Sequence, residues 1–491
     1  MKKYYRITKQ IGFSYLSMIL VFLFSPLSIY LLTRYLTIEQ FGAYSIISIT
    51  VEIAIVVLEL GLTEYIVTTL SGMTQKRKAE AFFSLVIFEI LLFGVLSILF
   101  LTPLQIHIIS LLKLGQYVIE FRIGLVIIFF GLLIRLYSSY YAANKKLEFQ
   151  SLIASLLKSL WIIFVIIYTL VFRKLSLVIV MLLWISGVFL TFLLCFFNSK
   201  KEIVTFIRAK NINFSIIRKA IMFSSPLLFY YTGTYTVALA DRYMLTYYTT
   251  LTLVGIYTLA YSICTLILSL GVTTSDIIYP YIAEAWNNKK DHNLFFNASF
   301  KYNLMIVLPA AAGVFVLKEQ LVTLISGVSY LNSAKVIPIL IFYPIISSIM
   351  YMLYQNMLLR RKTKQIAVIY VLGGVINIIL NLLLIPKYNI YGAAIATIIS
   401  YVFMFFVMYA LCYKHIEINL KFMKIEKMVF ASLLMGVLIY FIGPTIVWTK
   451  LIAIAAGAIC YFSLLFLFRF FSKEELAIIQ FFLRKTLLKK E

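Results

Sequence analysis

Charge is scarce in this chain, and so are the residues that usually carry out chemistry. Of 491 residues only 13% are charged, with 3 histidines, 4 cysteines and 4 tryptophans. A soluble domain is about a quarter charged, so the deficit argues against a soluble enzyme, a disordered chain or a secreted scaffold. The cysteines (Cys195, Cys264, Cys412, Cys460) sit inside apolar stretches without CxxC spacing, which gives no support to a disulfide frame or a zinc site. The histidines (His107, His292, His415) lie far apart and form no ligand pair. No metal or resident cofactor is expected. No aqueous segment holds paired carboxylates, a nucleotide-binding glycine loop or a Ser/Cys–His arrangement, so no catalytic residue is expected either.

What is abundant is apolar surface. Hydrophobic residues make up 63% of the chain and the mean hydropathy is +0.99. That is more than a soluble core of this length hides, and it points to a polytopic membrane protein. A helix crossing the hydrocarbon needs about 20 mainly apolar residues. Fourteen blocks fit: 11–35, 43–70, 81–101, 121–142, 151–172, 176–197, 220–248, 253–282, 303–325, 336–359, 365–385, 390–413, 428–448 and 451–471. The first follows a basic start (Lys2, Lys3, Arg6, Lys9) but is too long for a signal-peptide h-region and lacks an A-x-A-like cleavage site. It is expected to be a span.

The net charge of +25 would suggest a nucleic-acid partner in a soluble protein. Here the basic residues fall in short runs between apolar blocks. With the N-terminus placed in the cytoplasm, 31 of the 44 Lys and Arg lie in inner segments and 8 at outer loops and helix ends. The bias predicts both termini inside and an even number of spans. It makes topology, not nucleic acid, the purpose of the charge. The 198–219 connector is expected to be a solvated, topology-setting loop and 104–118 to lie along the outer interface. The tail 472–491 is expected to form a short cytoplasmic amphipathic helix.

The first and seventh spans end alike. One reads Thr33-Arg34-Tyr35-Leu36 and then Phe41-Gly42-Ala43-Tyr44-Ser45; the other reads Asp241-Arg242-Tyr243-Met244 and then Val254-Gly255-Ile256-Tyr257-Thr258. Six spans separate the copies. The fold expected is therefore all-α, with two six-helix bundles related by a pseudo-two-fold axis around a central cavity, plus two C-terminal helices. The corresponding regions are 1–219, 220–413 and 414–491.

Several strings carry a family resemblance: Phe41-Gly-Ala-Tyr-Ser45, Leu58-Glu-Leu-Gly-Leu62, Asp241-Arg242, Val254-Gly-Ile-Tyr257, Asn377-Ile-Ile-Leu-Asn-Leu-Leu-Leu-Ile-Pro386 and Tyr388-Asn-Ile-Tyr-Gly-Ala-Ala-Ile-Ala396. In order and spacing the chain resembles the polysaccharide (Wzx-type) flippase branch of the multidrug/oligosaccharidyl-lipid/polysaccharide exporter superfamily, over roughly residues 1–413. Members often have Asp where this chain has Glu59, and Gly where it has Asn389. The resemblance implies movement of undecaprenyl-diphosphate-linked oligosaccharide repeat units from the inner to the outer leaflet of the bacterial cytoplasmic membrane, by alternating access. The product would feed O-antigen or capsule assembly, with a polysaccharide polymerase and chain-length machinery as further partners beside the membrane lipids.

Charges at bilayer depth cost about 2.5–3.5 kcal/mol each on insertion scales and are candidates for function. An anionic diphosphate crossing a low-dielectric slab needs cations that replace its hydration. Arg34, Arg135, Lys158 and Arg242 are the expected contacts to diphosphate or acidic sugar. Acids in the same cavity would bind a coupling ion, H+ or Na+, and Glu52, Glu59, Asp241 and Asp276 are assigned to coupling or gating. Glu52 and Glu59 are seven positions apart, about 700° of helix, and share a face. Asp241 and Arg242 point about 100° apart, so their pairing is not assured. Tyr230, Tyr231 and Tyr235 are weaker candidates for sugar stacking. Alternatives are a drug/cation antiporter or a peptidoglycan-precursor flippase of the same superfamily. A membrane glycosyltransferase or polymerase is a more distant option, because no outer loop is large enough to house one.

Overall fold

The computed structural model describes residues 23–100, 103–200, 204, 212–288, 293–413, 423–443, 447–472 and 475. The basic N-terminal run, the first half of the first span, residues 201–203 and 205–211 of the 198–219 connector and nearly all of the 472–491 tail lie outside the described residues. Among those described the chain is helical throughout, with no strand. Ten of its helices are long and apolar enough to cross a membrane.

The helices used below are α1 (residues 23–35), α2 (Ile38–Leu58), α3 (Gln75–Phe100), α4 (Pro103–Leu111), α5 (Val118–Ala143), α6 (Leu147–Phe172), α7 (Leu177–Asn198), α8 (Phe214–Tyr248), α9 (Leu251–Asn287), α10 (Asn293–Val316), α11 (Lys318–Ser326), α12 (Phe342–Leu359), α13 (Thr363–Cys412), α14 (Ile425–Ile442) and α15 (Val447–Leu467). Wherever a predicted span is described, it falls mainly on helix. α4 occupies the predicted outer-interface connector, burying Ile109 and leaving Ile106 and Leu111 exposed.

Three spans differ from the expectation of one continuous helix each. α2 starts where Thr37 and Gln40 form a reciprocal capping box, each side chain bonding the other's backbone at 3.2 Å. It stops at Leu58, not at residue 70, because Leu60 (φ 52°) and Gly61 (φ 72°) adopt left-handed backbone. Glycine takes that conformation without strain. The chain resumes as a short turn, Leu62–Tyr65, followed by a π-helical segment, Ile66–Leu70. The Gly61 carbonyl released by the break accepts a 2.9 Å bond from Ser224 Oγ of α8, which keeps a buried backbone acceptor satisfied. In the predicted span 303–325, α10 gives way to α11 around Leu317. In 336–359, a one-turn helix, Ile337–Leu340, precedes α12. The predicted boundary between residues 385 and 390 does appear inside α13, as a break at Asn389 (φ 50°, ψ −128°) just after Pro386.

The chain divides into two compact units. The first comprises residues 1–259, 325–329 and 367–400; the second comprises 260–324, 330–366 and 401–491. Within the first unit, Phe82 and Tyr140 stack at 4.4 Å between α3 and α5, and the Tyr141 hydroxyl joins α5 to α7 through the Cys195 carbonyl (3.2 Å) and Ser199 (2.9 Å). The repeat is written into its packing. A Cβ on Gly42 would lie 1.9 Å from the Leu251 carbonyl oxygen, and one on Gly255 would lie 2.5 Å from that of Ile38. Three residues on, Ser45 and Thr258 share a 2.8 Å hydrogen bond. Each position of one copy therefore packs against its counterpart in the other, the self-complementary pattern of a local two-fold.

Within the second unit, α10 packs along α12 and α14. Asn303 Nδ2 donates to the Gly271 carbonyl at 2.8 Å, and the Tyr461 hydroxyl of α15 donates to the Met305 carbonyl at 3.0 Å. Lys301, 1% exposed, forms an ion pair with Glu475 at 2.8 and 2.9 Å, which fastens the segment after α15 to α10.

Candidate functional site

The break after α2 builds the first part of the site. Glu59 becomes the C-cap of α2, buried at 3% exposure, and its Oε2 receives Arg135 Nε of α5 at 2.6 Å. Thr63 Oγ1, in the turn beyond the break, donates to the other carboxylate oxygen. The Arg135 side chain is 39% exposed, so it is anchored at Nε yet partly open to solvent. Tyr235 of α8 lies within electrostatic reach of it.

Two turns earlier on α2, Glu52 is exposed, and so is Lys158 on α6. Lys158 is the cation that acts most strongly on Glu52, followed by Arg242 and Arg135. An exposed acid and an exposed base in the middle of apolar helices are tolerated where they face water and each other, not lipid tails. Five of the eight predicted residues are thus linked inside the first unit: Glu52 is within electrostatic reach of Lys158, Arg242 and Arg135, and Arg135 is paired with Glu59. On the same side, the Tyr231 hydroxyl donates to Glu64 at 3.4 Å.

Asp241 and Arg242 form a second, fully buried cluster. They do pair, with Nη1 3.2 Å from Oδ1, and they are 0% and 3% exposed. Asp241 Oδ2 accepts the Tyr257 hydroxyl at 2.5 Å and Thr397 Oγ1 at 3.4 Å. Arg242 donates to the Ala238 carbonyl at 2.8 Å and lies over the Tyr257 ring at 5.6 Å. A buried ion pair keeps its charges only when such extra partners surround it. Nearby in sequence to Thr397, Asn381 Nδ2 donates to Asn377 Oδ1 at 2.9 Å, and the remaining amide atoms, Asn377 Nδ2 and Asn381 Oδ1, are buried without partners among the described residues.

Two predicted residues lie elsewhere. Arg34 donates from Nε to the Ile325 carbonyl at 3.3 Å and approaches Gly327, so it meets the C-terminal end of α11. Asp276, in the second unit, is exposed and accepts the Tyr351 hydroxyl at 2.7 Å and Gln355 Nε2 at 3.2 Å on one oxygen.

Sequence reasoning passed over Tyr257, Thr397, Tyr351 and Gln355 as partners, and Glu89 as a participant. Glu89 on α3 is 1% exposed, within electrostatic reach of Glu59, and both its carboxylate oxygens lack a hydrogen-bond partner among the described residues. Tyr257 and Thr258 stood inside a repeat string, which was the available signal. Gln355 had none.

With this geometry in view, comparisons with known proteins decide the family. The family model described as "Polysaccharide biosynthesis protein" matches residues 31–335. The chain belongs to this family. It is 27% identical over 195 residues to the uncharacterized membrane protein MJ1068 of Methanocaldococcus jannaschii, covering 38% of each chain. It is 24% identical over 151 residues to the probable low-salt glycan biosynthesis flippase Agl15 of Haloferax volcanii, covering 30% of this chain and 32% of that one. The chain thus spans about a third of the length of the curated relatives it matches. Among solved structures, the lipid II flippase MurJ in its inward closed conformation superposes with a TM-score of 0.78 at 18% identity, covering 93% of this chain and 98% of that one. An inward-facing multidrug resistance transporter of the MATE family, in the MOP superfamily, gives 0.64 at 13% identity over 80% and 94%. The fold of this family member is therefore that of the MurJ and MATE structures, a multi-pass helical membrane protein.

Proposed function

We propose that the chain flips undecaprenyl-diphosphate-linked oligosaccharide repeat units from the inner to the outer leaflet of the bacterial cytoplasmic membrane, for O-antigen or capsule assembly. The observation that carries this reading is the accessible cation pair Arg135 and Lys158 at mid-helix, set beside acids in a member of a polysaccharide biosynthesis family. A diphosphate sheds its hydration on entering such a site, and the partly exposed Arg135 side chain offers charged donors in its place. Lys158 supplies a mobile point charge. Alternating access moves the cargo, and the chain makes no covalent change in it.

Glu52 and the buried Asp241 are the groups that would couple the cycle to H+ or Na+. Glu52 competes with the cargo for Lys158, so ion binding at the acid and diphosphate binding at the base alternate. Arg242 tunes Asp241 from within the buried cluster. A polysaccharide polymerase and chain-length machinery would take the product at the outer face.

A second reading, a peptidoglycan-precursor flippase, draws on the superposition with the lipid II flippase. Both readings share the anionic lipid and differ in the glycan. Deleting the gene and quantifying undecaprenyl-diphosphate-linked intermediates by mass spectrometry, with a leaflet label, separates them. Accumulation of complete surface-polysaccharide repeat units on the inner face, reversed by wild type but not by Arg135→Ala, supports the first reading. Accumulation of peptidoglycan precursor supports the second, and normal arrival of both at the outer face overturns each.

A further inference from the structure

The second unit holds an arrangement whose chemistry differs from that of the charged cluster. Asp276 lies in α9, eleven residues before its end and on the side of the basic segment containing Lys289 and Lys290, which is expected to be cytoplasmic. It is exposed. Two donors, the Tyr351 hydroxyl at 2.7 Å and Gln355 Nε2 at 3.2 Å, both bind its Oδ1. They fix the carboxylate rotamer and leave Oδ2 with no hydrogen bond among the described residues.

Gln355 is 4% exposed, and its Oε1 is buried with no partner among the described residues. Flipping the amide does not resolve this, because it would turn Oε1 onto the carboxylate. The acid therefore decides which end of the amide is which. A buried amide oxygen without a donor is costly unless a ligand supplies one. One turn along α12, the rings of Tyr351 and Tyr354 stack at 5.9 Å with an interplanar angle of 22°, and Tyr279 of α9 lies within electrostatic reach of Tyr354.

We propose that Asp276, Gln355, Tyr351 and Tyr354 form a sugar-binding subsite that takes a pyranose ring of the glycan cargo. The proposal rests on the flippase reading above and names the part of the cargo bound here. Two neighbouring hydroxyls of a pyranose donate into Asp276 Oδ2 and Gln355 Oε1, while the C–H face of the ring lies on the tyrosine pair. The sign of the charge excludes the diphosphate from this place, since a carboxylate repels it. An organic cation would satisfy the carboxylate and the rings, but without a hydrogen-bond donor it leaves Gln355 Oε1 unpaired.

The test uses the purified full-length protein and two probes, undecaprenyl-diphosphate and undecaprenyl-diphosphate-N-acetylglucosamine, with retention read by native mass spectrometry. Wild type should retain the sugar-bearing lipid more strongly. Asp276→Asn puts a donor where Oδ2 accepts, and Tyr354→Leu removes the platform. Each should weaken retention of the sugar-bearing lipid by roughly tenfold, through the loss of one charge-assisted contact in the first and of the ring face in the second, and leave the bare lipid unchanged. No preference in wild type, equal losses for both lipids, or no loss for either overturns the subsite. If wild type retains neither lipid, the flippase reading itself fails, and the subsite falls with it.

Discussion

Gly42 and Gly255 occupy the same place in two copies of one motif, and each is held against the backbone at the start of the other's helix. The missing side chains are what allow that approach. A methyl on Gly42 would stand 1.9 Å from the Leu251 oxygen and one on Gly255 would stand 2.5 Å from the Ile38 oxygen. Gly42→Ala and Gly255→Ala should each lower stability by about 1–3 kcal/mol, the usual cost of forcing a packed contact apart. Thermal unfolding of the detergent-solubilised variants checks this; an unchanged midpoint would show that the helices part freely here.

Arg135 and Glu59 should behave as a unit. Removing one partner strands a carboxylate that is 3% exposed. Solvent reaches the guanidinium, so Arg135→Ala should cost about 2–3 kcal/mol, below the full figure for a wholly buried pair. Glu59→Gln combined with Arg135→Met should recover most of it. A double-mutant cycle on thermal stability reads the coupling, and additive losses would refute it.

Lys158 is exposed, so its loss should affect cargo and not fold. Lys158→Ala is expected to change stability by less than about 0.5 kcal/mol and to weaken retention of undecaprenyl-diphosphate by roughly tenfold, an effect that shrinks as salt rises. A matching drop in stability would make it a scaffold residue.

The ion pair after α15 predicts a pH dependence. Burial alone would raise Glu475, but hydrogen bonds from Lys301, Tyr302 and the Ser472 backbone outweigh it and hold the carboxyl below its ordinary value of 4.5. A depressed acid stabilises the fold fully above the unfolded value, and the contribution fades as pH falls through the folded one. Wild type should therefore lose stability as pH drops below about 4.5, and Glu475→Gln should be less stable at neutral pH with a flatter acid limb. Parallel limbs for the two proteins would contradict the assignment.

Orientation is open to direct labelling. Cysteines introduced at Lys174 and Lys335 should react with a membrane-impermeant maleimide added outside whole cells, whereas one at Arg361 should not. The reverse pattern would invert the topology derived from the basic loops.

The spans were legible in the sequence because lipid imposes a length and a polarity that composition reports directly. The pairing of Gly42 with Gly255 was foreshadowed by the repeated strings around them. The stop at Leu60–Gly61 is not legible there, since a run of apolar residues reads as one span whatever its backbone does, and the Glu-Leu-Gly-Leu string carries a family resemblance without announcing a turn. Arg34 and Arg242 looked equivalent by motif, yet one meets the end of α11 and the other is enclosed with Asp241. That divergence depends on tertiary neighbours, Ile325 and Tyr257, that local pattern does not encode. Gln355 is marked out by its bond to Asp276, 79 positions away, a distance at which periodicity is silent.

The fastening of Lys301 bears on how the protein is handled in the laboratory. Its ammonium is enclosed, and the acid that neutralises it stands four residues past Phe471, beyond the end of the last apolar block. A truncation made where the hydropathy falls away would look like harmless tidying and would leave a cation sealed inside the bundle. An affinity tag that begins after Glu475 keeps the neutralising group, and one spliced in at residue 472 removes it. Poor expression of the shorter form would then reflect a missing carboxylate and not a missing function.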